Sequence, residues 1–398
     1  MSDPTTQSTP TTQSTPVAVP GTGAPGPAAG TRRARQLRRP AAGSLLLIVL
    51  VAVLAVLPFY LEEFWLRTGF AVFGAAIGAI GLNILVGTTG QLSLGHAFFL
   101  AVGGISYCWL SGESNDSGSH PYVGLGLPPL VGMVLAVGIS GLAGLLFSPI
   151  GARLKGLYLG IASLGLVFVG IHVFNSASEV SGGHNGRTVP DFSLFGFTFD
   201  DTDPDLYILN VEFEKFERLW YLGLVLAVGC YLFARAALNG RPGRALRAVR
   251  DSEIAASVNG VNVTAYRARA FLLSSMYAGL SGVLFALAIG SVAPESFAIE
   301  ISVQYLAMIV LGGLGSVGGA CAGAAFVTAL PYVLRQYAES IPGLSEPGTG
   351  GVSYSEAARY AYGAAVILVI VFWPSGLAGI ARGLKAAGSR RASRQAPT

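Results

Sequence analysis

Charged residues are scarce in this chain. Asp, Glu, Lys and Arg make up 12% of its 398 residues, while 52% are hydrophobic. A soluble domain usually carries about 25% charged residues, so the composition excludes an ordinary soluble protein and indicates an integral membrane protein. The net charge of +4 does not point to nucleic acid, because the basic residues flank apolar stretches and indicate membrane topology instead.

Cysteine and histidine are rare as well. Cys108, Cys230 and Cys321 all lie within apolar runs, so we expect small buried side chains rather than a disulfide framework. The histidines are His96, His120, His172 and His184. None has another histidine four residues away or a cysteine at zinc-ligand spacing, so the sequence predicts no metal site.

The residues that two classes of enzyme require are missing. The only lysines, Lys155, Lys215 and Lys385, do not lie in a G-x-x-x-x-G-K-[ST] loop, so the chain has no such site for ATP phosphates. Ser281 lies in a G-x-S-G sequence of the kind that intramembrane serine proteases use, but no histidine follows His184. Without a base, this serine is better explained by close helix packing, and we predict no catalytic residue.

Long apolar runs, by contrast, are abundant. A membrane helix needs about 20 mostly apolar residues. Ten such stretches follow one another, approximately at 44–61, 69–88, 91–110, 123–148, 156–175, 219–238, 269–289, 301–316, 318–335 and 359–378. The sequence predicts an all-α polytopic membrane protein with about ten transmembrane helices, in a range of roughly 8 to 11. The range reflects the uncharged turns near "GTTGQ" and "GGLGSVGG", where either segment can be a broken or re-entrant helix.

Basic residues between these stretches predict the topology, because they mark cytoplasmic loops. We expect a disordered cytoplasmic tail at 1–42, where the repeat "TTQSTPTTQSTP" and a Pro/Gly/Ala stretch have nothing to bury. A transmembrane domain at 43–381 and a basic cytoplasmic tail at 382–398 follow. Both termini then face the cytoplasm, with the chain in the inner or plasma membrane. The acidic residues of the external loop 176–218 form either a solvated loop or a docking surface for an extracytoplasmic partner.

The cytoplasmic loop at 239–269 carries a basic pattern. Its residues Arg244, Arg247 and Arg250 recur every third position, which places them along one side of a short helix. Gly260 then breaks or turns that helix. A basic interfacial helix that touches anionic lipid is one explanation of this spacing.

The stretch "EIAASVNG" supports a second explanation for this loop. It resembles the loop of ABC importer permeases that forms a helix and turn held in a groove of an ATPase subunit. Ala255, Ala256 and Gly260 match that pattern, whereas Ile254 stands where the glutamate is expected and Glu253 lies one position earlier.

The chain as a whole resembles the branched-chain amino acid importer permeases of LivM type, a family whose relatives also move urea and short amides. The resemblance lies in "GLNILVGTTGQLSLGHAFFLAVGG" from Gly81, "SGGHNG" from Ser181, "GRALRAVRDSEIAASVNGVNV" from Gly243 and "VAPESFAIEISVQYLAMIVLGGLGSVGGACAGAAF" from Val292. It implies two cytoplasmic ABC ATPase subunits that hydrolyse ATP, a second permease subunit and an extracytoplasmic substrate-binding protein. It implies no cofactor bound by this chain itself.

Two groups of residues take their expected roles from this resemblance. The ATPase-coupling residues are Arg244, Arg247, Arg250, Glu253, Ala255, Ala256 and Gly260. The external motif comprises Ser181, Gly182, Gly183, His184, Asn185 and Gly186.

Polar residues within apolar stretches are the candidates for a translocation pathway. Asn83, Gln91, Ser93 and His96 stand among glycines, and Gln304 precedes a second glycine-rich run. A polar side chain at membrane depth is costly unless it finds a partner or a water-filled cavity, so each residue either bonds helix to helix or lines a route. Glycine-interrupted segments in both halves of a chain indicate a route. We therefore predict the second role and keep the first as its alternative.

These observations leave three classes of function. The first is a permease subunit of an ATP-driven importer for branched-chain or similar amino acids, with urea or short amides as alternative solutes. The second is a passive channel or secondary carrier for a small polar solute, although no Asp or Glu lies centrally in an apolar stretch to couple an ion. The third is an intramembrane enzyme, for which Ser281 has no histidine to act as its base. We predict the importer, because it gives the loop at 239–269 a partner.

Overall fold

Helices dominate the computed structural model. It describes residues 42–115, 122–154, 156–194, 197–199, 207–208, 211–212, 214–337, 344–345, 352–372 and 376–379. The predicted tails at 1–42 and 382–398 therefore lie outside the described residues, except for Ala42. The chain divides into two units, Met1–Leu46 and Leu47–Thr398. The second unit contains the helices, strands and pockets of the described residues, apart from the first turn of the first helix.

A helix occupies each of the ten predicted apolar stretches. In chain order the helices are α1 (Ala42–Val56), α2 (Glu63–Thr89), α3 (His96–Ser111), α4 (Pro129–Arg153), α5 (Leu157–Ser176), α6 (Ser178–Ser181), α7 (Lys215–Asn239), α8 (Arg241–Asp251), α9 (Glu253–Val258), α10 (Val263–Ile289), α11 (Ile299–Gly312), α12 (Val317–Gln336) and α13 (Tyr354–Phe372). The short helices α8 and α9 lie in the loop predicted at 239–269.

Strands in the described residues are only two residues long. The antiparallel pairs are Arg187–Thr188 with Ser291–Val292, Ser193–Leu194 with Phe197–Thr198, and Tyr207–Ile208 with Val211–Glu212. Leu344–Ser345 pairs in parallel with Val352–Ser353. These strands connect loops and do not add a layer to the fold.

Seven segments of the described chain are long and apolar enough to cross a membrane. They are α2, α4, α5, α7, α10, α12 and the segment Pro294–Gly312, which contains α11. Shorter apolar helices lie at Leu45–Phe59 and His96–Ser111. The prediction of an all-α, multi-pass membrane protein is confirmed.

Helices α2 and α10 form the centre of the bundle. Within their most apolar windows, 78% of α2 and 67% of α10 is buried. Their backbones approach closely, since a β-carbon on Gly81 would lie 2.5 Å from the β-carbon of Tyr277. Ser281 Oγ also donates a 2.7 Å hydrogen bond to the carbonyl oxygen of Gly74. Small residues of this kind let membrane helices associate, and the packing interpretation of Ser281 is confirmed.

The predicted helix at 91–110 starts too early. Helix α2 ends at Thr89, because Gly90 adopts a φ of +72° and donates its N–H to the carbonyl oxygen of Val86. A left-handed backbone of this kind favours glycine. Residues 91–95 are not helical, and α3 begins only at His96. The helical assignment of 91–95 was therefore wrong.

The helix ends gather at two faces of the bundle. At one face, Gln91 Nε2 donates to the carbonyl oxygen of Gly151 at the end of α4, and α8 bonds to the end of α2. At the other face, the strand Arg187–Thr188 pairs with Ser291–Val292, just after α10. Following the predicted topology, we call the face that carries α8 and α9 the inner face and the opposite one the outer face.

The two ends of α10 allow a test of this topology. Thr264 lies at the inner face and Ser291 at the outer face, and both residues are exposed. We expect Ser291→Cys to react with an impermeant thiol reagent in intact cells. Thr264→Cys should react only after the membrane is opened, because arginine-rich loops stay in the cytoplasm. The unchanged chain, in which Cys108 is fully buried, measures the background. The opposite labelling pattern would show that the inner and outer faces are assigned the wrong way round.

Candidate functional site

A partly buried, non-helical segment separates α2 from α3. It comprises residues 90–95, and we call it the junction segment. Gln91, Ser93 and His96, the first residue of α3, are each at most 4% exposed. Because a buried polar group is destabilising without a partner, what each of these side chains contacts decides its role.

Hydrogen bonds join the junction segment to its neighbours. Gln91 Nε2 donates to the carbonyl oxygen of Gly151 on α4 at 2.9 Å, and Gln91 Oε1 accepts a bond of 3.2 Å from Thr89 Oγ1. The backbone N–H of Leu94 donates to Ser163 Oγ on α5 at 2.8 Å. The Ser163 hydroxyl of α5 thereby replaces one of the bonds that a continuous helix would make, and the side chain of Gln91 adds a bond to the end of α4.

Ser93 and His96 make fewer bonds. Ser93 Oγ accepts a long hydrogen bond of 3.4 Å from the N–H of Gly95. The imidazole of His96 lies 4.9 Å, centroid to centroid, from the ring of Tyr305 on α11. Within the described part of the chain, His96 Nε2 has no hydrogen-bond partner. His96 is therefore a buried polar group with unused bonding capacity beside an aromatic ring.

Asn83 joins α2 to the turn between α11 and α12. Its Nδ2 donates to the carbonyl oxygen of Ser316 and its Oδ1 accepts from the N–H of Gly315, both at 2.8 Å. A β-carbon on Gly87 would lie 2.5 Å from the nitrogen of Gly315, so the two backbones approach closely. Both ends of the Asn83 amide are engaged, which fits the helix-to-helix alternative for this residue.

Gln304 lies apart from the other predicted pathway residues. It is half-buried on α11, hydrogen-bonds with Tyr362 of α13, and lines a cavity of about 330 Å³. Tyr305, which contacts His96 and also lines this cavity, was not among the predicted residues. An aromatic residue in an apolar run gives no sequence signal that separates it from the core. The pathway roles themselves stay predictions.

A bent pair of helices lies at the inner face. Helices α8 and α9 meet at Ser252, and we call the three together the elbow. The buried residues of α8 are Gly243, Leu246 and Val249, whereas Arg244, Arg247 and Arg250 are exposed. The short helix predicted from the arginine spacing is confirmed. Arg247 also donates a 3.1 Å hydrogen bond to the carbonyl oxygen of Leu238 at the end of α7.

Two further arginines fasten the elbow to the bundle. Arg250 donates to the carbonyl oxygen of Gly87 in the last turn of α2. Arg267 of α10 forms an ion pair with Glu253 of α9 and donates a 3.3 Å hydrogen bond to the carbonyl oxygen of Ala152 on α4. The elbow is thus connected to α2 directly and to α4 through α10.

The exposed side of α9 is apolar. Ala256 is 3% exposed because it packs against this chain, whereas Ile254 and Val258 are 80% and 82% exposed. Ala255 is exposed beside them. The predicted break at Gly260 is confirmed, because α9 ends at Val258 and Gly260 has a φ of +79°, with nothing within 4 Å of a β-carbon placed there. A partner that docks on α9 therefore meets Ile254, Ala255 and Val258, while Ala256 faces inward.

A polar pocket of about 390 Å³ lies between the junction segment and the elbow. Its polar lining includes Gly90, Gln91, Arg250, Asp251, Glu253 and Arg267. The charges of the elbow and the backbone of the junction segment therefore border the same space.

The predicted external motif forms a tight turn after α6. Gly182, Gly183 and Gly186 have φ values of +78°, +59° and +69°, which glycine adopts without strain. Ser181 is fully buried, and its Oγ donates a 2.6 Å hydrogen bond to the carbonyl oxygen of Phe174. The glycines and the serine thus shape the turn.

The remaining two residues of the motif, His184 and Asn185, are exposed at the outer face. His184 Nδ1 lies 2.5 Å from Oε1 of Glu295, which also accepts a 2.8 Å hydrogen bond from Asn175 Nδ2. The carboxylate of Glu295 links the motif to the segment between α10 and α11.

Comparison with known proteins identifies the family. Residues 64–373, more than half of the chain, match the family described as "Branched-chain amino acid transport system / permease component". This chain belongs to that family. No solved structure matches it.

The relatives within this permease family include two high-affinity branched-chain amino acid transport system permease proteins LivM. Those from Salmonella typhimurium and Escherichia coli are 34% and 33% identical over 286 residues, which cover 68% of this chain and 64% of each relative. The "Probable branched-chain amino acid transport permease protein LivM" of Methanocaldococcus jannaschii is 23% identical over 329 residues, 80% of this chain and 90% of that protein. The chain therefore matches less than two thirds of the length of the first two relatives.

Replacing Asn83 tests whether this permease-family chain uses it as a helix connector. Each neutral hydrogen bond contributes about 1 kcal/mol, so Asn83→Ala should lower the free energy of unfolding by about 2 kcal/mol and reduce the melting temperature in detergent. Gln304→Ala is the matched control, because that amide lines a cavity, and it should shift the melting temperature less. If Asn83→Ala left the melting temperature unchanged but abolished solute uptake, the result would support a pathway role for Asn83 instead.

Proposed function

We propose that this chain is the membrane-spanning permease subunit of an ATP-binding-cassette importer that carries branched-chain or similar amino acids across the cytoplasmic membrane. Membership of the permease family supports the class of protein. The names of the LivM relatives support amino acids over urea and short amides as the solute.

The elbow is the observation that carries this proposal. Its exposed side presents Ile254 and Val258, four residues apart on one side of a helix. Its other side is fastened to the bundle through Arg250 and through the ion pair between Glu253 and Arg267. An apolar surface on a segment that is bonded to several membrane helices suits a partner that moves those helices. A passive channel has no use for such a segment.

The importer needs partners for energy and for solute capture. The sequence has no phosphate-binding loop, so a separate ATPase must hydrolyse the ATP. The resemblance to ABC importer permeases implies two such cytoplasmic subunits, and in this proposal the chain itself has neither enzyme activity nor a bound cofactor. A second permease subunit pairs with it in the lipid bilayer. A substrate-binding protein docks at the outer face, which carries the external motif. Both termini lie in the cytoplasm in this arrangement.

Motion of the elbow reaches the junction segment by two short routes. Arg250 bonds to the carbonyl oxygen of Gly87, three residues before the segment begins. Arg267 joins α9 to Ala152, whose neighbour in the chain, Gly151, accepts the hydrogen bond from Gln91. A partner that displaces α9 therefore pulls on the beginning of the junction segment by both routes. A segment without a helical hydrogen-bond ladder deforms more readily than a helix.

Acidic substitutions on α9 test the proposal. The double variant Ile254→Asp, Val258→Asp should reduce ATP-dependent leucine uptake by about tenfold or more and weaken co-purification of the ATPase, because apolar anchors dominate such interfaces. Insertion and folding should be unchanged, since both side chains are largely exposed in this chain. Uptake by the assembled importer and the amount of bound ATPase are the two measurements.

Thr264→Asp is the control for an added carboxylate, because it places one such charge at an exposed inner-face position outside the elbow. It should leave uptake and ATPase binding near the wild-type values. Full uptake by the double variant, or leucine uptake that persists in cells emptied of ATP, would contradict the importer and favour a passive channel. If excess urea reduced the leucine uptake and excess isoleucine did not, the solute would be urea or a short amide rather than a branched-chain amino acid.

A further inference from the structure

A cavity of about 330 Å³ lies between α2, α10, α11 and α12 in the outer half of the bundle. Its lining on α12 runs from Val327 to Arg335, about 12 Å at the helical rise of 1.5 Å per residue. Arg335 is in the last turn of α12, which starts from the inner-face turn bonded to Asn83. The end of the cavity at Arg335 is therefore its mouth, at the outer face.

The deep end of the cavity is apolar. Leu100 of α3, Met308 of α11 and Val327 of α12 line it, together with small residues of α2 such as Ala75. Sites for small molecules are typically concave, about 300 to 1,000 Å³ in volume, and apolar except for a few placed polar groups. Both the volume and the lining of this cavity agree with that description.

Polar groups follow one side of the cavity from the middle to the mouth. Thr328 Oγ1 is buried and has no hydrogen-bond partner among the described residues. Gln304, Tyr332 and the exposed Arg335 also line the cavity. A guanidinium recognises a carboxylate through paired hydrogen bonds, while amide and hydroxyl oxygens accept hydrogen bonds from an ammonium group. This set of groups suits a zwitterion.

Tyr305 closes the inner side of the cavity. Ser281 Oγ donates its one hydrogen to the carbonyl oxygen of Gly74 at 2.7 Å. The 2.7 Å bond between Ser281 and Tyr305 must therefore be donated by the tyrosine hydroxyl. On its other side the Tyr305 ring packs against His96, the residue that follows the junction segment. One aromatic ring thus separates the cavity from the junction segment.

We propose that this cavity binds an amino acid with a branched aliphatic side chain. The α-carboxylate lies toward Arg335 at the mouth, and the side chain lies toward Leu100 and Met308 at the deep end. The site rests on the proposed importer function and adds to it a loading site within this single chain. The solute enters this site from the outer face. Movement of the Tyr305 side chain then opens the way toward the junction segment.

A cysteine inside the cavity tests this site directly. In the full chain within its transport complex, with no binding protein and no ATP added, Thr328→Cys is labelled from outside with a small thiol reagent. Saturating leucine should slow the labelling by about fivefold or more, and urea should not slow it. Ser291→Cys, exposed at the outer face, is the matched control whose labelling leucine should not change. Labelling of Thr328→Cys at the same rate with and without leucine would overturn the site.

A second variant keeps the test decisive if Thr328→Cys does not label or does not fold. Val327→Trp fills the deep end and should abolish binding of radiolabelled leucine to the complex. Val303→Trp, at an exposed position of α11, should not. Leucine binding that Val327→Trp leaves unchanged would overturn the site.

These measurements also separate the site from the proposed function. Protection by leucine without ATP-driven uptake would keep the site and refute the importer. ATP-driven uptake without protection would keep the importer and refute the site.

Discussion

Every backbone N–H and C=O group at membrane depth needs a partner within the protein, and the junction segment is where this chain meets that requirement without a helix. The bonds come from three directions. Ser163 of α5 accepts from the backbone N–H of Leu94, the side chain of Gln91 donates to the carbonyl oxygen of Gly151 on α4, and next to the segment Ser302 of α11 accepts from the N–H of Ala97 in the first turn of α3. The packing of α4, α5 and α11 around the segment therefore depends on these few polar contacts. Losing one leaves a buried donor or acceptor without a partner.

The same requirement explains why the polar residues of this region differ in what they can do. The amides of Asn83 and Gln91 are engaged with backbone groups of neighbouring elements, so they hold helices together. His96 retains an unpartnered ring nitrogen and lies against Tyr305, beside the cavity. Polar residues that look alike in the sequence thus fall into two groups. Asn83 and Gln91 connect helices, whereas His96 has a ring nitrogen left to bond a solute or water.

The sequence predicted the helices well because twenty apolar residues in a row have few other solutions in a membrane. It placed the start of α3 wrongly because Leu92 and Leu94 keep the run apolar on average, and only the left-handed backbone of Gly90 ends the preceding helix. It also marked Gln91 and Asn83 and predicted a pathway role for them, with helix-to-helix bonding as the alternative. Their partners are backbone groups, which leave no trace in the side-chain pattern. Thr328 and Tyr305 were missed for a related reason, since neither stands out within an apolar helix.

The bonds that fasten the elbow share a chemical origin. The last four carbonyl groups of a helix have no partner within it, and the negative end of the helix dipole makes them good acceptors for cations. Gly87, Ala152 and Leu238 lie in the last turns of α2, α4 and α7, and each accepts from an arginine at the inner face.

Attachment through such carbonyls leaves the helices themselves intact when the elbow moves. Because these carbonyls have no partner within their own helices, an arginine that pulls on one moves the end of the helix without breaking a bond inside the bundle. Backbone carbonyls are present whatever the side chain at a position. The sequence therefore revealed the arginine spacing but not the carbonyl groups that accept from the arginines. An elbow held in this way can move several helix ends together, as the proposed coupling to an ATPase requires.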